Sequence, residues 1–196
     1  MKKSLITLIV VVGVILLLIM IGSRSYNNLV TKEEGVTAAW SQVENVYQRR
    51  ADLIPNLVNT VKGYADFEQK TLTQVIEARS KATSMTIDPT NLTEANLQQF
   101  QQAQEGLSSA LSRLMVVVER YPDLKANQNF MDLQAQLEGT ENRIAVERRS
   151  FNTTAQEYNT LVRRFPTNIY AGMFGFDKKA YFQADAGAEK APEVQF

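Results

Sequence analysis

Between Leu5 and Ile21 the chain offers seventeen residues, LITLIVVVGVILLLIMI, whose apolar character is softened only by Thr7 and Gly13. As an α-helix rising 1.5 Å per residue this run is about 26 Å long, enough to cross the hydrocarbon of a bilayer. A cleaved signal peptide would carry a shorter apolar run ending in small residues, whereas this one continues through Met20 and Ile21 into Gly22-Ser23-Arg24. The run is therefore expected to be a retained anchor, residues 1–24, and the rest of the chain a polar domain tethered to a cell membrane by a single pass.

About 170 residues remain after the anchor, enough for one domain with a real core. Setting Lys2 and Lys3 aside leaves 19 basic against 21 acidic side chains, a charge of −2, with no stretch loaded with base. Nucleic acid is thus not an expected partner. The chain has no cysteine and no histidine, which excludes thiol nucleophiles, disulfides, Ser-His-Asp triads and the usual zinc and haem ligands. Serines and threonines are scattered without a base to activate them, and no cofactor or small-molecule substrate is indicated. Lys2 and Lys3 before the anchor against Arg24 and Lys32 after it give a nearly even charge bias, leaning slightly towards a cytoplasmic start and an exported domain.

The domain reads as helix throughout. Val36, Trp40, Val43, Tyr47, Ile54, Leu57, Val61 and Tyr64 follow one another at spacings of 4, 3, 4, 7, 3, 4 and 3, an apolar seam that packs helix on helix. Pro55 interrupts it, either kinking one long helix or opening a new one capped by Asp52. Asp88-Pro89 marks a break over residues 84–90, after which Asn91 and Glu94 read as a capping pair. The next helix carries Leu107, Leu111, Leu114 and Val118, and its glutamine-rich start, Gln98 to Gln104, reads as a solvated face. Tyr121-Pro122 ends it. The last long helix runs from about Asn127 to Phe165-Pro166 with Phe130, Leu133, Leu137, Ile144, Phe151, Ala155, Tyr158, Val162 and Phe165 in its seam. The expected fold is all-α: a transmembrane helix followed by an antiparallel up-and-down bundle over residues 25–166, of four helices, or of three if Pro55 only kinks the first. Residues 167–182 form an aromatic segment and 183–196 a mobile tail.

The long gaps in the seams are filled by charges: Arg50 between Tyr47 and Ile54, Glu141 between Leu137 and Ile144, Arg148 between Ile144 and Phe151. A buried charge is costly unless paired, so these three are expected to find one another or Asp52, Glu77, Arg79 and Glu119 in a structural ion network. The rival reading is a carboxylate metal site on Glu77, Glu119 and Glu141. It is disfavoured because helical di-metal sites ordinarily add histidine, which this chain lacks.

Several strings carry a resemblance: YNNLV from Tyr26, WSQVE from Trp40, RRADLIPNLV from Arg49 to Val58, EAR from Glu77 to Arg79, ERYPDLKAN from Glu119 to Asn127, LEGTENRI from Leu137 to Ile144, and the pairs Phe151-Asn152 and Tyr158-Asn159. Together, and in this order, they resemble the bacterial LemA family. The resemblance implies a single-pass membrane protein with a helical-bundle domain, drawn with a short external amino terminus and a cytoplasmic domain, opposite to the lean of the charge bias. It implies no established enzymatic activity and a role in membrane-associated assembly, including magnetosome formation.

The functional expectation is a membrane-anchored scaffold or adaptor that binds membrane-associated proteins or copies of itself, with no catalysis. The alternative is a carboxylate-based metal-dependent hydrolase or ion-handling protein. Four antiparallel helices return the chain to the membrane, bringing Phe165 near Tyr26, where the strings Tyr26-Asn-Asn-Leu-Val and Tyr158-Asn-Thr-Leu-Val echo one another. Tyr170, Met173, Phe174, Phe176, Lys178, Lys179, Tyr181 and Phe182 then form either a foot on the bilayer, with the lysines at the headgroups, or a cap on the bundle's own core; with three helices the segment sits instead at the far end, free to grip a partner.

Overall fold

A computed structural model of the chain describes residues 2–63 and 68–183. Tyr64 and all of the expected tail beyond Gln183 lie outside the described residues. The elements are α1 (Lys2–Lys62), α2 (Gln69–Ser84), α3 (Glu94–Val118), α4 (Pro122–Lys125), α5 (Gln128–Arg163) and α6 (Thr167–Phe174). No strand occurs among the described residues.

The 61-residue helix α1 joins the apolar run to the bundle without a break and is roughly 90 Å long at 1.5 Å per residue. Leu5 to Met20 are exposed on every side, which is compatible with a membrane anchor, while Leu29, Val36, Trp40, Val43, Ile54, Leu57 and Val61 are buried at the seam spacing. The chain then runs back along α2, out along α3 and back along α5, with α1 and α5 as long antiparallel neighbours. The four-helix, up-and-down expectation therefore holds, but its first turn is not where the proline suggested. Pro55 lies inside α1, and the helix ends seven residues later at Lys62, followed by Gly63. A basic last turn followed by glycine is an ordinary stop signal.

How α1 tolerates Pro55 is visible in one hydrogen bond. Proline has no N–H to give the carbonyl four residues back, which is that of Ala51. Arg79 Nε, from α2, donates to that carbonyl at 2.8 Å. Arg79 thus repairs the helix instead of joining an ion network. Arg79→Ala is expected to cost about 1–2 kcal/mol in denaturation of the detergent-solubilised chain. In a Pro55→Ala background, where a backbone N–H serves the carbonyl, most of that cost should vanish; strictly additive effects would refute the repair.

Two further starts follow from caps. Asn127 caps α5, its side chain accepting from Phe130 N–H at 3.1 Å. The cap of α3 is Thr93, accepting from Asn96 N–H at 3.4 Å, and not Asn91. Asn91 belongs instead to the loop, where its carbonyl accepts from the Asn96 side chain at 2.6 Å.

The core forms two apolar clusters along the bundle axis. The one far from the apolar run gathers Ile54, Leu57 and Val61 of α1, Leu72 and Val75 of α2, Leu107 to Val118 of α3, and Phe130 and Leu137 of α5. The one next to the apolar run gathers Leu29 to Tyr47 of α1, Ile144 to Val162 of α5, and the start of α3. The short α2 does not reach this level. Its place is taken by Ile87 and Leu92 of the 85–93 loop and by Ala180 and Phe182 of the segment after α6.

Candidate functional site

Between the two clusters lies a polar layer to which three helices contribute one seam position each. Arg50 falls between Tyr47 and Ile54, Gln104 between Phe100 and Leu107, and Glu141 between Leu137 and Ile144. The Arg50 side chain is buried and shares Nη1 between Glu141 Oε1 at 2.5 Å and Ser108 Oγ at 2.8 Å. Its Nη2 donates to Gln104 Oε1 at 2.6 Å, and Gln104 Nε2 donates in turn to the Ala82 carbonyl at 3.2 Å. The Tyr47 ring lies 5.1 Å from the guanidinium carbon. Gln104 is therefore a buried partner of Arg50, not part of a solvated face. Its signal was the period: Phe100, Gln104, Leu107 and Leu111 share one helical stripe.

The other expected members of the ion network are elsewhere. Asp52 is exposed and accepts from Gln48. Glu119 pairs with Lys125 at the distal end, and Glu77 is exposed on α2. Arg148 donates to the Gln183 carbonyl at 2.8 Å and sits 5.0 Å over the Phe182 ring. The expected single network is thus an Arg50–Glu141 pair plus separate surface and packing roles. Among the described residues no three His, Cys, Asp or Glu side chains stand close enough to hold a metal. Glu77, Glu119 and Glu141 are not gathered into a site. Because Glu141 is 44% exposed while Arg50 keeps Gln104 and Ser108, Glu141→Ala is expected to cost about 2 kcal/mol. An unchanged urea midpoint would show that water replaces the carboxylate at no cost.

A second construction lies at the end of the bundle next to the apolar run. Gly175, at φ 76°, closes α6 in a left-handed turn that favours glycine, and Phe176 N–H returns to the Ala171 carbonyl at 3.0 Å. The segment 176–183 then crosses the bundle as an extended strap. Asn159 of α5 binds both main-chain groups of Lys179, accepting from its N–H and donating to its carbonyl, each at 2.8 Å. One heptad earlier, Asn152 does the same to Phe182, at 2.8 and 2.9 Å. Two carboxamides thus supply the strap with the hydrogen bonds a neighbouring strand would give, and Ala180 N–H adds one to the Leu92 carbonyl at 3.0 Å. So held, Phe182 stacks on Trp40 at 5.9 Å and meets the Phe151 edge at 5.5 Å.

Lys179 does not face headgroups. Its side chain is 4% exposed, pairs with Glu33 of α1 at 2.7 Å and donates to the Thr90 carbonyl at 2.6 Å. Lys178, one residue earlier, is exposed. The aromatic segment therefore divides at Gly175: Phe176 and Phe182 pack against the core, whereas Met173 and Phe174 before it stay exposed and Tyr170 lies over Gly22 of α1. Tyr181, 43% exposed, accepts at its hydroxyl oxygen from the Asn159 side-chain amide at 2.8 Å.

The middle of α1 and the last turns of α5 do meet, joined by Lys32 and Glu157 at 2.7 Å. The echoing strings nonetheless serve different purposes. Tyr158 is fully buried under Lys179, while Tyr26 is exposed and packs edge-on against Phe174 and Phe176 at 5.0 and 5.6 Å. Phe165, expected at Tyr26, points to solvent at 77% exposure. Burial, and after it the nearby Glu33 and Asp177 carboxylates, push the Tyr158 phenol well above its ordinary range, so it stays neutral at any physiological pH.

In the loop that receives Lys179, the Thr90 hydroxyl and then the Thr90 N–H hold the Asp88 carboxyl below its usual value against a desolvation effect of opposite sign, and Lys179 adds to the lowering. A carboxyl with a lowered folded pKa contributes stability that is present above the unfolded value of about 3.9 and is lost as pH falls through the folded one. Acid titration below about pH 4 is thus expected to loosen the 85–93 loop, read by the emission of the chain's one tryptophan, and Asp88→Asn should flatten that titration.

The sequence profile of the LemA family matches residues 39–196, most of the chain. The chain belongs to the LemA family. It is similar to magnetosome protein MamQ 2 of Paramagnetospirillum magneticum, 28% identical over 177 residues that cover 81% of this chain and 64% of the relative. Magnetosome protein MamQ of Magnetospirillum gryphiswaldense is 27% identical over 176 residues, covering 80% and 64%. Protein LemA of Metamycoplasma hominis is 27% identical over 158 residues, covering 81% and 68%. The chain spans just under two thirds of the length of the MamQ relatives.

The strings that carry the LemA resemblance now have physical content in this chain. RRADLIPNLV holds Arg50, the Ala51 carbonyl and Pro55; LEGTENRI holds Glu141; ERYPDLKAN holds α4 and the Asn127 cap. The Phe151-Asn152 and Tyr158-Asn159 pairs each place a core aromatic beside a clasping asparagine. The two asparagines were missed as site residues in the sequence, although their seven-residue spacing beside the seam was legible.

Proposed function

We propose that the chain is a membrane-anchored scaffold or adaptor, a helical bundle that binds other proteins, or further copies of itself, beside the bilayer. The observation that carries this reading is the continuity of α1. The apolar run and the core-forming residues from Leu29 to Val61 lie on one helix, with no flexible linker between anchor and domain. The described residues contain one helix long and apolar enough to cross a membrane, and it is this one. A domain fixed to its anchor in distance and rotation presents a defined surface to neighbours in the same membrane. The MamQ relatives are named as magnetosome proteins, and a part in building a larger structure is the class of role proposed for this chain.

The experiment is affinity capture of the full chain from solubilised membranes, followed by light scattering of the purified material. A defined partner or a discrete oligomer is expected. A clean monomer that enriches nothing overturns the scaffold reading.

A further inference from the structure

We propose that α6 is a second membrane contact: an interfacial helix seated at the acyl–headgroup boundary, with a lipid acyl chain in the cleft between it and the end of the anchor. The proposal rests on reading Leu5–Ile21 as the anchor.

The cleft, about 540 Å³, is walled by Leu18, Ile19 and Gly22 of α1 and by Tyr170, Met173 and Phe174 of α6. Leu18 and Ile19 belong to the apolar run itself, so the cleft continues a surface that already faces lipid. The same short helix leaves Ile169, Met173 and Phe174 exposed at 52%, 70% and 54%. With Phe165 just before it, this is a cluster of large apolar side chains that water would not tolerate cheaply, and a bilayer edge removes it from water.

The length of the anchor points the same way. Seventeen residues span about 26 Å, whereas the hydrocarbon of a typical bilayer is about 30 Å thick. The deficit, about one helical turn, draws the turn after Ile21 towards the acyl boundary. That is the turn α6 covers: the Tyr170 ring stands 3.0 Å from where a Cβ on Gly22 would be. Tyr26 and Tyr170 fall where tyrosine is enriched at membrane interfaces. Arg163, Arg164 and Lys178, all exposed, flank the helix in sequence, and exposed Arg24 lies two residues beyond Gly22, positions that suit anionic headgroups. The core-capping alternative is fulfilled by Phe176 and Phe182 and leaves these side chains without a role.

The test uses the full cysteine-free chain in vesicles of phosphatidylcholine and phosphatidylglycerol, with an environment-sensitive fluorophore on Phe174→Cys, on Val12→Cys within the anchor, or on Val116→Cys, exposed on α3. Nitroxide lipids labelled near the headgroup end should quench the label at 174 several-fold more than the label at 116, with the label at 12 quenched by deeper nitroxides. A label at 174 that behaves like the one at 116 while the one at 12 is quenched overturns the foot and leaves the anchor standing. An unquenched label at 12 overturns the anchor and the foot with it. A label at 174 shielded without lipid quenching, together with disulfide dimers of unlabelled Phe174→Cys, assigns the face to a second copy and overturns the lipid reading. As a second variant, Met173→Asp with Phe174→Asp changes two largely exposed side chains and gives up one edge-on contact, that of Phe174 with Tyr26. It should keep the melting midpoint and vesicle flotation, while a probe on Ser23→Cys loses its quenching several-fold; undiminished quenching there also refutes the proposal.

Discussion

Replacing Trp40 by alanine is expected to remove about 4 kcal/mol of folding stability, among the largest losses any single substitution in this chain should cause. Trp40 is fully buried where three elements converge on α1: Phe100 of α3 at 5.3 Å, Phe151 of α5 at 5.6 Å and Phe182 of the strap at 5.9 Å. Alanine there leaves a cavity that no single helix can close, because its walls belong to different elements. Domains are stable by about 5–15 kcal/mol, so the folded fraction becomes acutely sensitive to temperature. Trp40→Phe should behave quite differently. The buried indole Nε1 meets no acceptor among the described residues, and phenylalanine removes that uncompensated donor along with some volume. Its cost is expected to stay within about 1.5 kcal/mol. Far-UV circular dichroism against urea in detergent reads both, since the anchor helix contributes a constant background. An alanine variant within 1 kcal/mol or so of the parent would show that the aromatic junction is not what joins the strap to the bundle.

Asn159→Ala is the second large effect, expected at about 3 kcal/mol. The loss exceeds that of an ordinary hydrogen bond because one deletion strands both the N–H and the carbonyl of Lys179, which is buried beneath it. Asn159→Asp should not rescue, since a carboxylate still accepts from the N–H but turns an oxygen towards the Lys179 carbonyl. Asn152→Ala, in a less buried place, should cost less. Release of the strap is measurable apart from global stability: trypsin cleavage after Lys178 or Lys179 is expected to quicken at least tenfold in Asn159→Ala, corresponding to about 1.4 kcal/mol less protection of the local structure. Equal cleavage rates in parent and variant would mean that the asparagines do not hold the strap.

These two sites were unequally legible. Trp40 stands in a seam that any helical reading of the chain finds, and its burial followed from spacing alone. Asn159 stands one residue beyond a seam position, and nothing local says whether such a residue meets water or a main chain that arrives twenty residues later. The same holds for the charges. Their place inside the bundle was readable, since Arg50 and Glu141 fill seam gaps, and they do pair. Arg148 fills a gap of the same kind and instead meets the strap.

Legible in the residues alone were the apolar run of α1, the helical class, the seams of α1, α3 and α5, and the start of α5 near Asn127, because each rests on contacts within a turn or two of helix. Only the tertiary structure decided that α1 runs through Pro55, since the repairing Arg79 comes from α2. It decided too that Gln104 turns inward, where Arg50 of another helix needs an acceptor. Lys178 and Lys179 are adjacent and chemically identical, yet one is exposed and the other lies between Glu33 and the Thr90 carbonyl. Periodicity tells which way a side chain leaves its own helix. In an extended strap it is the groups waiting on α1, α5 and the 85–93 loop that decide which lysine is desolvated, because a buried ammonium is tolerated only where acceptors already stand.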